Sequence, residues 1–171
     1  MFKVILAATD GSAHGTRATE IAANIAAKYD ARFIVLSVVQ PGPLPRALHE
    51  ASRNQGSRSP HPLIAKVPSW FDEALEVSRR GTGDVHALVE ALAGEALGHA
   101  DAVAKKEGLS DYATFLEHGD PTAIILEYAD RENADLIVLG RRGLGSFAEL
   151  MLGSVSHKVT QLTQRSCLTV K

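Results

Sequence analysis

The residues best suited to chemistry lie late in the chain, in Gly140-Arg141-Arg142-Gly143 and Gly153-Ser154-Val155-Ser156. A glycine leaving a strand, a second glycine three residues on and a Gly-Ser pair opening a helix describe a cradle for an anion. Glycine lets backbone approach a ligand closely. The free amides and dipole of a helix start favour negative charge. Serine hydroxyls add donors for phosphate oxygens. Arg141 and Arg142 are of the right type to pair with phosphate, although a solvated surface arginine explains either one equally well. Ser154 also reads simply as the N-cap of the last helix. A second group stands near the start, where Thr9-Asp10-Gly11-Ser12 ends a short apolar run. Asp10 there is a candidate ligand for a Mg2+ that bridges phosphate oxygens, with a helix cap or turn residue as the alternative reading.

Two phosphate-binding alternatives are excluded by pattern. No Gly-x-x-x-x-Gly-Lys-Ser/Thr loop is present, so no lysine of that kind neutralises a γ-phosphate. No Gly-x-Gly-x-x-Gly fingerprint follows the first strand. His157 lies near the phosphate end and reads as an exposed histidine. The other six histidines are scattered without ligand spacing, so no transition-metal site is expected. Cys167, the single cysteine, excludes an internal disulfide and reads as a buried strand thiol.

The elements that position these groups follow from periodicity. Val4 to Ala8 reads as a buried strand, with both faces apolar. Ala18, Ile21, Ala22, Ile25 and Ala26 fall at helical spacing, with Ser12 or Asp10 as cap and Tyr29-Asp30 as the end. Phe33 to Val39 is a second strand, which completes a parallel crossover unit. Residues 41–62 hold five of the seven prolines and read as a long loop. Trp70, Phe71, Ala74 and Leu75 form a short apolar face, interrupted over residues 79–83. From Asp84 a helix carries Leu92, Ala96, Ala100 and Val103, and Gly94 and Gly98 weaken it by roughly 1 kcal/mol each.

Tyr112 to Glu117 predicts a third strand. Asp120-Pro121 predicts a helix start, with Ile124, Ile125, Tyr128 and Ala129 facing inward. Leu136 to Leu139 predicts a fourth strand bounded by Gly140. Val155, Val159 and Leu162 mark a last helix, and Cys167 to Val170 a final strand. The order implies one open, largely parallel sheet with helices on both faces. In such a sheet ligands sit beyond the carboxyl ends of the strands, which is where both candidate groups fall.

The chain has 171 residues, 45% hydrophobic and 22% charged, which suits a single domain over 1–171 with a long loop and helical insert at about 41–82. A formal net charge of -2, with both signs spread along the chain, supplies no electrostatic reason for nucleic acid or anionic membrane as partner. The N-terminal apolar run is too short for a secretion signal and no run has membrane-spanning length, so a soluble, cytoplasmic protein is expected.

The spacing Gly140-x2-Gly143-x9-Gly153-Ser154 resembles the Gly-x2-Gly-x9-Gly-Ser/Thr motif of ATP-binding universal stress proteins. The opening Lys3 to Ser12, the turn Gly119-Asp120-Pro121 and the stretch Ala134 to Gly140 are similar to the same family. The resemblance implies a doubly wound α/β sheet of five strands in the order 3-2-1-4-5. It implies that Ala8, Thr9 and Asp10 end the first strand beside ribose, phosphate or a divalent ion. Val38 would offer backbone groups to adenine. Leu139, Gly140, Arg141, Arg142 and Gly143 would line the phosphates, and Gly153, Ser154, Val155 and Ser156 would hold them. It further implies ATP, ADP or AMP as ligand with Mg2+, a stress-response role with an unidentified protein partner, and a homodimer through the C-terminal strand. There the chain departs from the family, reading Ser166-Cys167-Leu168-Thr169-Val170-Lys171 in place of a Cys-Pro-Val-Leu-Val-Val-like run, which puts the length of that edge in question. Three functions compete: an ATP-dependent regulator with at most slow hydrolysis, a slow ATPase or phosphotransferase, and a nucleotide-free interaction module. The missing lysine and general base weigh against the second. The intact glycine motif weighs against the third.

Overall fold

The computed structural model describes residues 1–40, 85–143 and 153–171, with the side chains of 85–88 excepted. The expected loop and helical insert at 41–82 lie outside the described residues, as does the middle of the glycine motif. Five strands form one sheet: β1 (Val4–Ala8), β2 (Arg32–Val39), β3 (Tyr112–His118), β4 (Leu136–Gly140) and β5 (Ser166–Val170). All four neighbouring pairs are parallel, and the order is β3-β2-β1-β4-β5, as the resemblance implied.

The alternation of side chains along each strand splits the core into two layers. On one face, Ile5 and Ala7, Phe33 and Val35, and Leu136 and Val138 are covered by α1 (Ala13–Tyr29) and α2 (Val85–Lys106). On the other, Leu6 and Ala8, Ile34 and Leu36, and Ile137 and Leu139 are covered by α3 (Pro121–Arg131) and α4 (Ser154–Leu162). The central strands are apolar on both faces because helices cover both. Burying each such Val, Leu or Ile contributes about 1.5–3 kcal/mol.

Local chemistry sets the ends of the helices. Ser12 is the N-cap of α1, its Oγ accepting Gly15 N–H at 3.2 Å, and Asp30 ends the helix in the left-handed conformation. Ala18, Ala22, Ala23 and Ala26 are fully buried, so α1 lies on the sheet through small side chains. Asp120 caps α3, accepting Ala123 N–H at 2.9 Å, with Pro121 in the first turn. For α4 the cap position is Gly153, not Ser154, and among the described residues no side chain caps the helix. Ser154 occupies the first helical position because the chain enters through Gly153, whose N–H is already held by Arg141 C=O at 2.8 Å.

The register of β1 and β4 is pinned at their amino ends. Asp135 accepts the N–H groups of Lys3 (2.7 Å) and Val4 (3.0 Å), and its own N–H donates to Val4 C=O at 2.9 Å. Those two backbone donors, Lys3 first, hold the Asp135 carboxyl below the usual aspartate range. Among the described residues no helix is long and apolar enough to cross a membrane.

Candidate functional site

The cleft follows from connectivity. From the end of β1 the chain turns to α1 on one face, and from the end of β4 it turns to α4 on the other. β1 and β4 are adjacent, so their two loops leave for opposite faces at the carboxyl edge of the sheet, the switch point at which open α/β sheets form a ligand crevice. Thr9, Asp10 and Ser12 line one side. Arg141, Arg142, Gly143 and the start of α4 line the other.

The two sides touch through glycines. A methyl at Gly140 would lie 2.7 Å from Gly15 N and 2.8 Å from the His14 carbonyl carbon, so α1 packs on the end of β4 where both residues lack a side chain. A methyl at Gly15 would lie 2.8 Å from Thr9 Oγ1 and 3.0 Å from Asp10 Oδ1. A methyl at Gly143 would run into the Asp10 carboxylate. Gly143 was expected to allow close approach to a ligand; among the described residues what it approaches is Asp10.

Asp10 does more than face this loop. Its Oδ1 accepts Ser12 N–H at 3.1 Å, and Thr9 Oγ1 accepts Gly11 N–H at 3.2 Å. These short turns rotate the chain from β1 into α1. The turn reading of Asp10 is thus seen directly in its Oδ1 bond to Ser12 N–H. Thr9 is buried and its N–H donates to Leu36 C=O at 3.0 Å, extending the sheet by one bond beyond Ala8.

On the opposite side, Arg141 N–H donates to Val170 C=O at 2.6 Å, so the loop leaves β4 still attached to β5. Ser156, buried within the first turn of α4, lies 3.0 Å from both Arg141 C=O and Gly153 C=O. Its single proton is thus directed at the loop's own backbone, and its hydroxyl braces the cradle. Ser154 is exposed and Val155 half-buried at the same helix start. The first intrahelical donor is His157 N–H, bonded to Gly153 C=O at 2.9 Å, so the amides of Ser154, Val155 and Ser156 precede the helical ladder. Gly153 also packs tightly against the loop that leaves β4. A Cβ there would press on Arg141 C=O (3.2 Å) and the Arg142 Cα (3.4 Å).

The position of Val38 follows from backbone alternation. Leu36 C=O faces β1, where it takes Thr9 N–H, and Val39 C=O faces β3, where it takes Gly119 N–H at 3.0 Å. Val38, between Val39 and the residue after Leu36, turns its backbone groups toward β1, past the point where that strand has ended. Its register partner is Glu117 on β3. Glu117 accepts a short hydrogen bond from Tyr128, whose ring packs edge-on to Phe115 and lies 3.8 Å beneath the Arg131 guanidinium. Burial, with the Glu117 bond second, raises the Tyr128 hydroxyl.

Arg142 Nε is buried and, among the described residues, has no hydrogen-bond partner. Among the described residues no group of three His, Cys, Asp or Glu side chains could hold a metal ion. His157 is exposed. Cys167 is half-buried in β5, where burial raises its thiol and Thr160 Oγ1 lies 3.5 Å from the sulfur.

Two residues of this site were not singled out by sequence reasoning. Ser12 was read only as a cap, yet its Oγ also donates to Arg142 C=O at 3.2 Å across 130 positions of sequence. Gly15 was passed over, although a glycine in the first turn of an alanine-rich helix conflicts with helix propensity and could have marked a close contact.

Comparison with known proteins agrees with this architecture. A universal stress protein of Thermus aquaticus, encoded beside a QAH/OAS sulfhydrylase, is 35% identical over 159 residues, covering 93% of this chain and 91% of its own. The universal stress protein YxiE of Bacillus subtilis is 31% identical over 173 residues, covering both chains completely. Among solved structures, UspA from Lactobacillus plantarum superposes with a TM-score of 0.65 at 21% identity, covering 99% of this chain and 97% of that one. A universal stress protein in complex with cAMP gives 0.59 at 24% identity over 99% and 97%. One from Archaeoglobus fulgidus in complex with dAMP gives 0.58 at 18% identity over 100% and 98%. The universal stress protein family profile matches residues 1–171; on that match and those two relatives, this chain belongs to the universal stress protein family.

Proposed function

We propose that this protein binds an adenine nucleotide, ATP in the first instance, at the crevice between the ends of β1 and β4, and acts as a nucleotide-dependent cytoplasmic regulator in the stress response with at most slow hydrolysis. The observation that carries the reading is the start of α4. The amides of Ser154, Val155 and Ser156 precede the helical ladder, among the described residues no side chain caps them, and the Arg141–Gly143 turn lies against Asp10. Phosphate oxygens match such a helix start in charge and geometry. The buried Arg142 Nε, which lacks a partner among the described residues, fits a nearby anion as well. Val38 directs backbone groups into the gap beyond β1, where an adenine edge finds a donor and an acceptor. Ala8 and Leu139 end the apolar strands beneath that gap, and Gly140 keeps the floor narrow. Relatives of this fold have been crystallised with cAMP and dAMP, which supports the adenine class.

Asp10 contributes one carboxylate, so any Mg2+ would arrive with the phosphates and be held mostly by them. The cradle is largely backbone, which suits binding better than phosphoryl transfer: no lysine and no general base among the described residues is set against a transferred group. β5 is an edge strand with half-buried side chains, and the reading includes a homodimer formed along it.

The test is isothermal titration of protein shown to be free of carried-over nucleotide, with Mg-ATP, ADP and AMP. Micromolar ATP binding, negligible phosphate release and a weaker, less Mg2+-dependent response in Asp10→Asn are expected. Absence of binding by all three nucleotides would sink the reading and leave an interaction module.

A further inference from the structure

We infer that Ser12 is a positioning residue for the nucleotide site: its hydroxyl locks the β4 loop to the start of α1 and so sets nucleotide affinity without touching the nucleotide. The inference rests on the binding reading above. Ser12 is almost fully buried, 3% exposed, between the two loops that form the crevice. A serine hydroxyl has one proton and two lone pairs, and here both capacities are used. Oγ accepts Gly15 N–H at 3.2 Å, which caps α1, and donates to Arg142 C=O at 3.2 Å. The cap leaves the proton free, so one side chain serves the helix and the loop together.

The loop has two such braces on consecutive carbonyls. Arg141 C=O is held from the α4 side by Ser156 Oγ and Gly153 N–H, and Arg142 C=O is held from the α1 side by Ser12 Oγ. Ser12 is the brace that crosses the crevice. Releasing it lets the 141–143 turn rotate away from Asp10, against which Gly143 packs. The apparent dissociation constant of a ligand rises in inverse proportion to the fraction of protein holding the competent loop. Loss of one buried hydrogen bond is enough to lower that fraction several-fold.

Capping and clamping separate by substitution. Glycine is nearly as good an N-cap as serine, whereas alanine is poor, so Ser12→Gly keeps the helix start and removes only the clamp. Ser12→Thr keeps both functions. The expected result is a five- to tenfold rise in the Kd for Mg-ATP in Ser12→Gly, with Tm changed little and with near wild-type affinity in Ser12→Thr. Asp120→Ala, which removes the cap of α3 away from the crevice, should lower Tm and leave Kd alone. Exchange of the loop's bonded amides, Arg141 (to Val170 C=O) and Gly153 (to Arg141 C=O), in nucleotide-free protein should quicken in Ser12→Gly. Affinity within twofold of wild type in Ser12→Gly, or unchanged exchange at those amides, overturns the clamp while leaving nucleotide binding intact. Wild-type protein that binds no adenine nucleotide overturns both readings at once, and the exchange experiment then reports only whether the clamp exists.

Discussion

Replacing Gly140 by alanine puts one methyl between β4 and the first turn of α1. The new Cβ would sit 2.7 Å from Gly15 N and 2.8 Å from the His14 carbonyl carbon, which is 0.7 Å and 0.6 Å inside the 3.4 Å where ordinary contact begins. Both atoms are backbone, so no rotamer change relieves them. The start of α1 must lift from the sheet, and it carries Ser12 and Asp10 with it. Overpacking of this kind costs about 1–3 kcal/mol, and the smaller entropy of the unfolded alanine chain offsets about 0.4–1 kcal/mol. The net expectation is a loss of about 1–2 kcal/mol, or about 3–6 °C in Tm for a chain of this size. Urea unfolding monitored by circular dichroism measures the loss, and nucleotide titration of the folded variant should show weaker binding. Gly94→Ala is the matched control, since nothing lies within 4 Å of a methyl there. If Gly140→Ala holds wild-type stability within about 0.5 kcal/mol while the control behaves as expected, the two glycines do not set the approach of α1, and the crevice geometry is misread.

Gly94 and Gly98 both face open space on α2, so the double alanine variant should gain about 1–2 kcal/mol, read as a higher urea midpoint at unchanged slope. Asp135→Asn tests the pin on β1. Because the folded carboxyl titrates below its unfolded value near 3.9, its contribution is present above about pH 4 and vanishes as pH falls through the folded value. The variant should therefore be about 1 kcal/mol less stable at pH 7, with screening by solvent already allowed for, and the deficit should shrink steadily as pH falls below about 4; a deficit unchanged by acid would contradict the charge argument. Tyr128→Phe removes the donor to the half-buried Glu117 carboxylate and should cost about 1–2 kcal/mol, and Glu117→Gln in the same background should recover part of it. Asp10→Asn should weaken Mg-ATP binding more than metal-free binding, by titration with and without chelator.

The strands and helices were legible because their signals are local. Val4–Ala8 is apolar at every position, the alanines of α1 recur at helical spacing, and Asp120-Pro121 announces α3 within two residues. Strand order and the place of the glycine motif came from family resemblance, and the sheet bears out the order. Local pattern misjudged the start of α4, where Ser154 looked like the cap. Nothing near it in sequence says that Gly153 N–H is tied to Arg141. Nor does anything near Gly143 in sequence mark its close neighbour, Asp10, 133 positions earlier.

The alternation of buried strands and helices, and the presence of a glycine-and-serine loop fit for an anion, are written in the order of residues, because propensity, periodicity and turn chemistry act over a few residues. That Gly15, Gly140 and Gly143 bring the two loops together, and that the Ser12 proton reaches Arg142 C=O, emerges with the folded sheet. Those contacts exist only once β1 and β4 lie side by side, and a hydroxyl or missing methyl carries no mark in sequence of the distant atom it will meet.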